Sequence, residues 1–223
     1  MAVSESSKEI WDKHGKDVLG ARAYAAALGV ALTWAVFLVA AGARTSYNMQ
    51  YGPGLVLLTF IISIAGIFIF TKSTKPLVSL IGVSILSYFM GLSIGPVIAY
   101  YGATTVINAF VLTVFVTLGM AILGVLLPDV IIRAAGILFV GLLVLLVGYF
   151  GATLLSIFGI HAPLAGLDWL AVFIFSAYIW YDWARAMKLP KSLDNAIDAS
   201  GALIVDIVNL FLTLLRIIGR NNE

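Results

Sequence analysis

The chain reads AVFIFSAYIWYDWARAM over residues 171–187 and GALIVDIVNLFLTLLRII over residues 201–218, and each apolar stretch carries one aspartate. These aspartates are Asp182 and Asp206. An acid at the centre of a bilayer costs about 2.5–3.5 kcal/mol on insertion scales, so it normally faces a protein interior or water. Asp182 and Asp206 are therefore the leading candidates for functional residues.

The composition is that of an integral membrane protein. Of the 223 residues, 62% are hydrophobic and 11% are charged, whereas a soluble domain has about 25% charged residues. The net charge of +2 is too small to indicate a nucleic-acid partner. The chain has no cysteine, which excludes disulfides and thiolate chemistry. No catalytic motif occurs, and we expect neither enzyme activity nor a cofactor.

Seven segments are long and apolar enough to cross a bilayer as helices, which takes about 20 residues. They cover residues 23–43, 54–71, 76–100, 104–127, 133–158, 163–187 and 197–218. Pro96 lies inside the third segment, where it predicts a kink or an early end. The sequence thus predicts an all-α integral membrane protein. Its expected parts are a polar cytoplasmic tail (residues 1–22), a compact transmembrane domain of seven helices (23–218) and a short C-terminal tail (219–223).

The basic residues predict the orientation in the membrane. The expected cytoplasmic set is Lys8, Lys13, Lys16, Arg22, Lys72, Lys75, Arg133, Arg185, Lys188 and Lys191, and the expected external set is Arg44, Arg216 and Arg220. Basic residues concentrate on the cytoplasmic side of membrane proteins. This bias predicts a cytoplasmic N-terminus and an external C-terminus. The short tails and the lack of a C-terminal retention signal favour a bacterial inner membrane. A re-entrant segment would instead place both termini in the cytoplasm.

One polar stripe runs along the last predicted helix. Its members recur at intervals of three and four residues: Asp206, Asn209, Thr213, Arg216 and Arg220. At about 100° per residue they cover an arc of roughly 80°. A single polar stripe on an apolar helix is expected to face the bundle interior. Hydrogen bonding between helices is the alternative role for Asn209 and Thr213, and the two arginines are close enough to the helix end to extend toward water.

The segment before it has a similar polar face, formed by Tyr178, Asp182 and Arg185. A short basic loop joins the last two segments, so they are expected to be antiparallel and to bring the two aspartates together. Burial and a like charge both disfavour ionised carboxyls, so such a pair can share one proton near neutral pH. Carboxylate oxygens also suit hard cations such as Ca²⁺. The pattern predicts a proton-gated cation path; the alternative is an interfacial Asp182 paired with Arg185 or Lys188.

Two regions of the chain resemble the Bax inhibitor family, also called the transmembrane Bax inhibitor motif family. YIWYDWARAMK (178–188) and VDIVNLFLTLLRIIG (205–219) are similar to its closing signature. GLSIGPVIAYYG (91–102) and INAFVLTVFVTLG (107–119) resemble its Gly-Pro and Ala-Phe-x-x-Thr region. The resemblance implies a bundle of seven helices with the last helix near its centre. Bacterial members of the family resemble a pH-sensitive calcium leak, so the resemblance also implies this function. It also implies that Asp182 and Asp206 are the pH sensor; by their chemistry, the two carboxyl groups are also the candidate ligands for Ca²⁺.

The same resemblance leaves other functions open. Family members commonly have a basic residue at the inner end of the second helix and often an acid within it. Residues 57–75 read LLTFIISIAGIFIFTKSTK, which offers Lys72 and Lys75 as a latch and contains no acid; a lysine lacks the bidentate fork of arginine. The alternatives to a leak channel are a cation/proton exchanger and a non-conducting protein that modulates a membrane partner such as a protease.

Two further features are expected to be structural. Gly91 and Gly95 form a G-x-x-x-G pattern, which predicts close packing of two helix backbones. Asp168 lies near the start of the sixth segment, where an acid stabilises the helix dipole.

Overall fold

The computed structural model describes residues 19–49, 52–160 and 164–220. Within these ranges the chain forms eight helices. They are α1 (Ala21–Ser46), α2 (Pro53–Lys72), α3 (Pro76–Tyr100), α4 (Ala103–Leu126), α5 (Pro128–Arg133), α6 (Ala135–Ile157), α7 (Ala165–Lys188) and α8 (Leu193–Arg220). Six of the eight are long and apolar enough to cross a membrane, namely all except α5 and α7.

Each predicted segment corresponds to a helix, with differences at three places. The helix α3 continues past Pro96 to Tyr100, so the prediction that it could end early at the proline was wrong. The separate short helix α5 precedes the predicted fifth segment and overlaps it only at Arg133. The helix α8 begins four residues earlier than predicted, at Leu193, because Ser192 caps it by accepting a hydrogen bond from the Asn195 amide at 3.1 Å.

The sixth predicted crossing, which corresponds to α7, is the one that composition alone does not support. The helix α7 has 24 residues, but four of them are charged. The other six predicted crossings have helices of the required length and hydropathy. The chain is therefore a multi-pass helical membrane protein with six such helices in its described part.

The chain divides into two units. Unit 1 comprises residues 1–101 and 188–204, and unit 2 comprises residues 102–187 and 205–223. The helices α1 to α3 lie in unit 1, α4 to α6 and nearly all of α7 lie in unit 2, and α8 contributes its first part to unit 1 and its second part to unit 2. Residues 1–18 of the predicted N-terminal tail are outside the described residues. A single seven-helix domain with a central last helix stays a prediction.

In unit 1, glycines allow α3 to pack closely against α1. A Cβ atom on Gly91 would overlap the carbonyl group of Val39, and one on Gly95 would overlap the side chain of Ser46. Helix backbones approach this closely only where side chains are absent. The packing role predicted for the G-x-x-x-G pattern is confirmed.

The start of α8 is fixed within unit 1 by buried polar contacts. Ser79 on α3 donates a hydrogen bond to Oδ1 of Asp194 at 2.7 Å, and both side chains are buried. In the loop before α8, the Lys191 ammonium lies 4.8 Å from the centre of the Tyr24 ring. Burial lowers the pKa of the Lys191 amino group. These contacts hold the loop and the first turn of α8 against α1 and α3.

In unit 2, α7 packs against α4 and α6 through glycines on its neighbours. A Cβ atom on Gly124 of α4 would lie 2.6 Å from Cβ of Trp183. On α6, an added Cβ at Gly148 would lie 2.8 Å from a methyl group of Leu167. The part of α8 that belongs to unit 2 meets α7 through acidic residues, and these contacts form the candidate functional site.

Candidate functional site

Asp182 of α7 and Asp206 of α8 lie side by side in unit 2. Their carboxyl groups are within hydrogen-bonding distance of each other. The Asp206 side chain is buried, with 8% of its residue surface exposed, and Asp182 is half-buried. The structure therefore brings together the two acids that the sequence singled out; their role as a pH sensor stays a prediction.

A hydrogen bond between two carboxyl groups requires a proton on one of them. An ionised carboxylate is only an acceptor, whereas a protonated carboxyl has one O–H donor. The pair in this arrangement therefore holds at least one proton. Loss of that proton would leave two negative charges side by side in poorly solvated surroundings, where their repulsion is weakly screened. The geometry can thus convert a change in protonation into a force between α7 and α8.

Two neighbours on α7 flank the acid pair. Tyr178, one turn before Asp182, is close enough to interact electrostatically with both carboxyl groups. Its ring packs edge-on against Tyr181, with ring centroids 6.4 Å apart. Arg185, nearly one turn after Asp182, interacts electrostatically with the Asp182 carboxyl group. Both predicted supporting residues on α7 therefore lie beside the pair.

Asn209 and Thr213 continue the polar stripe toward the end of α8. The Thr213 hydroxyl donates to the backbone carbonyl of Asn209 at 2.8 Å and accepts from Arg216 at 3.3 Å. Thr213 is buried and Asn209 is half-buried. Both bonds lie within α8, so they link the stripe to its arginines rather than tying α8 to another helix.

A second polar site lies at the end of α8 and is here called the Asp168 cluster. Its members are Asp168, Tyr149, Thr213, Arg216 and Arg220. Asp168 Oδ1 accepts hydrogen bonds from Arg216 Nε at 3.1 Å and from the Tyr149 hydroxyl at 2.9 Å. Asp168 Oδ2 accepts from a terminal nitrogen of Arg220 at 2.9 Å. The Asp168 side chain is 1% exposed, against 35% for Arg216 and 41% for Arg220. Both oxygens of a buried carboxylate are thus paired with arginines.

The Asp168 cluster corrects two expectations. Extension of Arg216 and Arg220 toward water was the alternative to an inward-facing stripe, and both side chains instead reach a buried carboxylate. Asp168 was assigned only to the helix dipole; it does lie in the first turn of α7, but it also joins α7 to α8. Tyr149 was not singled out at all. The two arginines lie one turn apart on one helix face, a spacing that allows a shared ligand, but their acid partner was not evident from the sequence.

The predicted latch residues belong to unit 1. Lys72 ends α2 and Lys75 precedes α3, and neither side chain is buried. Asp182 and Asp206 belong to unit 2, so the latch stays a prediction.

Calcium binding by the acid pair also stays a prediction. In the described part of the chain, no group of three or more His, Cys, Asp or Glu residues is arranged to hold a metal ion. Ca²⁺ takes six to eight oxygen ligands, which include backbone carbonyls and water. Two carboxyl groups would therefore supply only part of its coordination.

The fold and the site define a multi-pass helical membrane protein with a carboxyl pair between its last two helices. Residues 21–223 match the family described as Bax1-I, inhibitor of apoptosis-promoting Bax1. The chain belongs to this family, the Bax inhibitor-1 family, as its sequence predicted. It is also similar to a protein of Vibrio cholerae serotype O1 (strain ATCC 39315 / El Tor Inaba N16961) described as an uncharacterized membrane protein. The two are 26% identical over 162 residues, which cover 70% of each chain.

Proposed function

We propose that this protein is a non-enzymatic, pH-regulated calcium leak channel of a bacterial inner membrane, gated by Asp182 and Asp206. The observation that carries the proposal is the hydrogen bond between these two carboxyl groups. One member of the pair is buried, and it begins a polar stripe on an otherwise apolar helix. Membership of the Bax inhibitor family supports the proposal as well.

The proposed gate works through repulsion between the two acids. With one shared proton, the hydrogen bond holds α7 against α8 and the path is closed. Without it, two negative charges repel each other, the helices separate, and the carboxylates become oxygen ligands that suit Ca²⁺. Arg185 is positioned to limit this repulsion on the side of Asp182. The leak should therefore rise with increasing pH, as the pair loses its proton.

The proposal includes α7 as a seventh crossing, with the N-terminus in the cytoplasm and the C-terminus outside. Its 24 residues span roughly 36 Å at 1.5 Å per residue, enough for a hydrocarbon core of about 30 Å. Two of its four charged residues, Asp168 and Asp182, pair within unit 2 rather than facing lipid.

The cysteine-free sequence makes the topology directly testable. Single cysteines would replace Ser7 in the N-terminal tail, Thr74 between α2 and α3, and Asn222 at the C-terminus. With seven crossings, a membrane-impermeant maleimide added outside intact cells labels only the Asn222→Cys variant. Labelling of neither tail variant would show an even number of crossings.

Calcium flux into proteoliposomes tests the function. The purified protein is reconstituted with a trapped Ca²⁺ indicator, and the initial rate of Ca²⁺ entry is measured across a pH series. We expect the rate to follow the deprotonated fraction of the pair, which changes about tenfold per pH unit on the acid side of its midpoint. Asp206→Asn should flatten this dependence. Asp129→Asn, which neutralises an exposed acid of the same unit, is the matched control and should leave it unchanged.

The same assay separates the alternatives. An exchanger would move Ca²⁺ against its gradient when only a proton gradient is applied, whereas a leak would not. Liposomes that contain folded protein but show no Ca²⁺ entry at any pH would contradict both and favour a protein that modulates a membrane partner. A pH response that survives in Asp206→Asn would refute the proposed gate.

A further inference from the structure

The Asp168 cluster contains more positive than negative charge. Its single carboxylate faces two guanidinium groups, from Arg216 and Arg220. The helix dipoles leave the net positive charge of the cluster unchanged. The N-terminal end of α7 carries about half a positive charge and the C-terminal end of α8 about half a negative charge, so the two largely cancel. In the described part of unit 2, the remaining acids lie elsewhere. Asp206 is ten residues before Arg216 on α8, roughly 15 Å along the axis. Asp129 lies in α5, before the start of α6, whereas Tyr149 lies in the second half of α6.

The two arginines also keep unused hydrogen-bond donors. A guanidinium has five N–H groups. Among the described residues, Arg220 uses one of them, on Asp168. Arg216 uses three, on Asp168, Tyr149 and Thr213. About four donors of Arg220 and two of Arg216 therefore remain, and 41% of the Arg220 side chain is exposed. The cluster can accept an additional anion without losing its internal bonds.

The position of the cluster along α8 suits contact with a lipid phosphate. Arg220 is the last residue of α8, an apolar helix long enough to span the bilayer, and a helix that crosses the bilayer has its terminal residues at the membrane–water boundary. Trp169, next to Asp168 in sequence, is 53% exposed, and tryptophan is enriched at that boundary. Arginine binds phosphate with two parallel N–H···O bonds. A fixed excess of positive charge at this depth favours lipids with net negative charge.

We propose that Arg220 and Arg216 form a binding site for the phosphate of an anionic phospholipid headgroup at the end of α8. Asp168 holds both guanidinium groups in place, with Tyr149 bonded to both Asp168 and Arg216. The site is independent of the proposed ion path, because it requires neither the acid pair nor any conduction.

Native mass spectrometry of the purified full-length protein tests this site. The protein in detergent is titrated with phosphatidylglycerol or with phosphatidylcholine, and the affinity of the first bound lipid is measured. We expect tighter binding of phosphatidylglycerol, and a loss of about fivefold in Arg220→Gln, equivalent to about 1 kcal/mol for one charge at the surface. Arg220→Lys keeps the charge but lacks the bidentate fork, so its affinity should lie between those of the wild type and Arg220→Gln.

Arg44→Gln is the matched control. Arg44 lies in the last turn of α1 and is exposed, but no acid among the described residues pairs with it. Its replacement should leave the affinity for phosphatidylglycerol within experimental error. Equal losses in the Arg44 and Arg220 variants, or unchanged binding in Arg220→Gln, would overturn the proposal.

A competition experiment distinguishes a lipid from a free anion. Inorganic phosphate is added to the complex with phosphatidylglycerol and compared with chloride at the same ionic strength. The lipid site predicts equal effects of the two salts. Selective displacement by phosphate, together with equal affinities for phosphatidylglycerol and phosphatidylcholine, would identify a site for soluble phosphate and refute the lipid assignment.

Discussion

Arg216 donates from Nε to Oδ1 of Asp168 across 3.1 Å and thereby joins the last part of α8 to the first turn of α7. The carboxylate is almost fully buried and the guanidinium is about one-third exposed. The interaction is thus neither a surface ion pair nor a fully desolvated one. Because the Asp168 carboxylate is the more buried partner, we expect its removal to reduce the stability of the protein more than removal of the Arg216 guanidinium.

The first prediction concerns the removal of the buried acid. Asp168→Asn leaves two arginines without a counter-ion and Tyr149 with a weaker acceptor. Breaking a buried pair costs about 3–5 kcal/mol, but water can reach both arginines, so we expect about 1–3 kcal/mol. Thermal unfolding in detergent measures the loss. Asp129→Asn, at an exposed position, should change stability by less than about 0.5 kcal/mol; equal effects of the two substitutions would contradict a role for the cluster in stability.

A second prediction compares two buried serines on α3. Both Ser79 and Ser87 are 0% exposed. Ser79 donates to the buried Asp194 carboxylate, whereas the Ser87 hydroxyl has no hydrogen-bond partner among the described residues. Ser79→Ala should therefore destabilise the protein by about 1–3 kcal/mol, because a buried acceptor loses its donor. Ser87→Ala should be neutral or slightly stabilising. The reverse order of unfolding temperatures would show that the contact of α8 with α3 does not depend on this hydrogen bond.

Two glycine substitutions test the backbone packing of α1 against α3. Gly91→Ala places a methyl group against the carbonyl of Val39, and overpacking of this kind costs about 1–3 kcal/mol. Gly29→Ala on α1 is the control, since a Cβ there meets no atom within 4 Å. Alanine is the better helix former by about 1 kcal/mol, so the control should be unchanged or more stable. If both variants unfold at the temperature of the wild type, the helices are less closely packed than described.

The fourth prediction is that the two gate residues act as one titrating unit. If Asp182 and Asp206 share a single proton, replacing either acid with asparagine removes the whole response. The double variant should then add little to either single variant in the pH dependence of Ca²⁺ entry, so the effects are strongly non-additive. The double variant of Asp206→Asn and Asp129→Asn is the reference, and the effects of its two substitutions on the pH dependence of Ca²⁺ entry should be additive. Additive effects of the two gate substitutions would mean that the acids titrate independently.

The sequence by itself determined the helices and the leading candidate residues. Apolar runs of bilayer length are a local property, so the predicted segments of residues 76–100 and 104–127 match α3 and α4 closely. Charge in an apolar run is equally local, and it suffices to single out Asp182 and Asp206. The family, too, was recognisable from short blocks of residues. The start of α8 was missed because Asp194 and Asn195 interrupt the apolar pattern, although both are buried.

Only the tertiary structure decided which polar side chains meet. The position of Arg216 and Arg220 near the helix end left extension to water open, because their partner Asp168 is 48 and 52 residues away in the chain. Such a pairing depends on how α6, α7 and α8 pack, and periodicity along one helix carries no information about the next. The physical reason is that hydropathy is fixed residue by residue, whereas the desolvation and pairing of a charge depend on the atoms that surround it after folding.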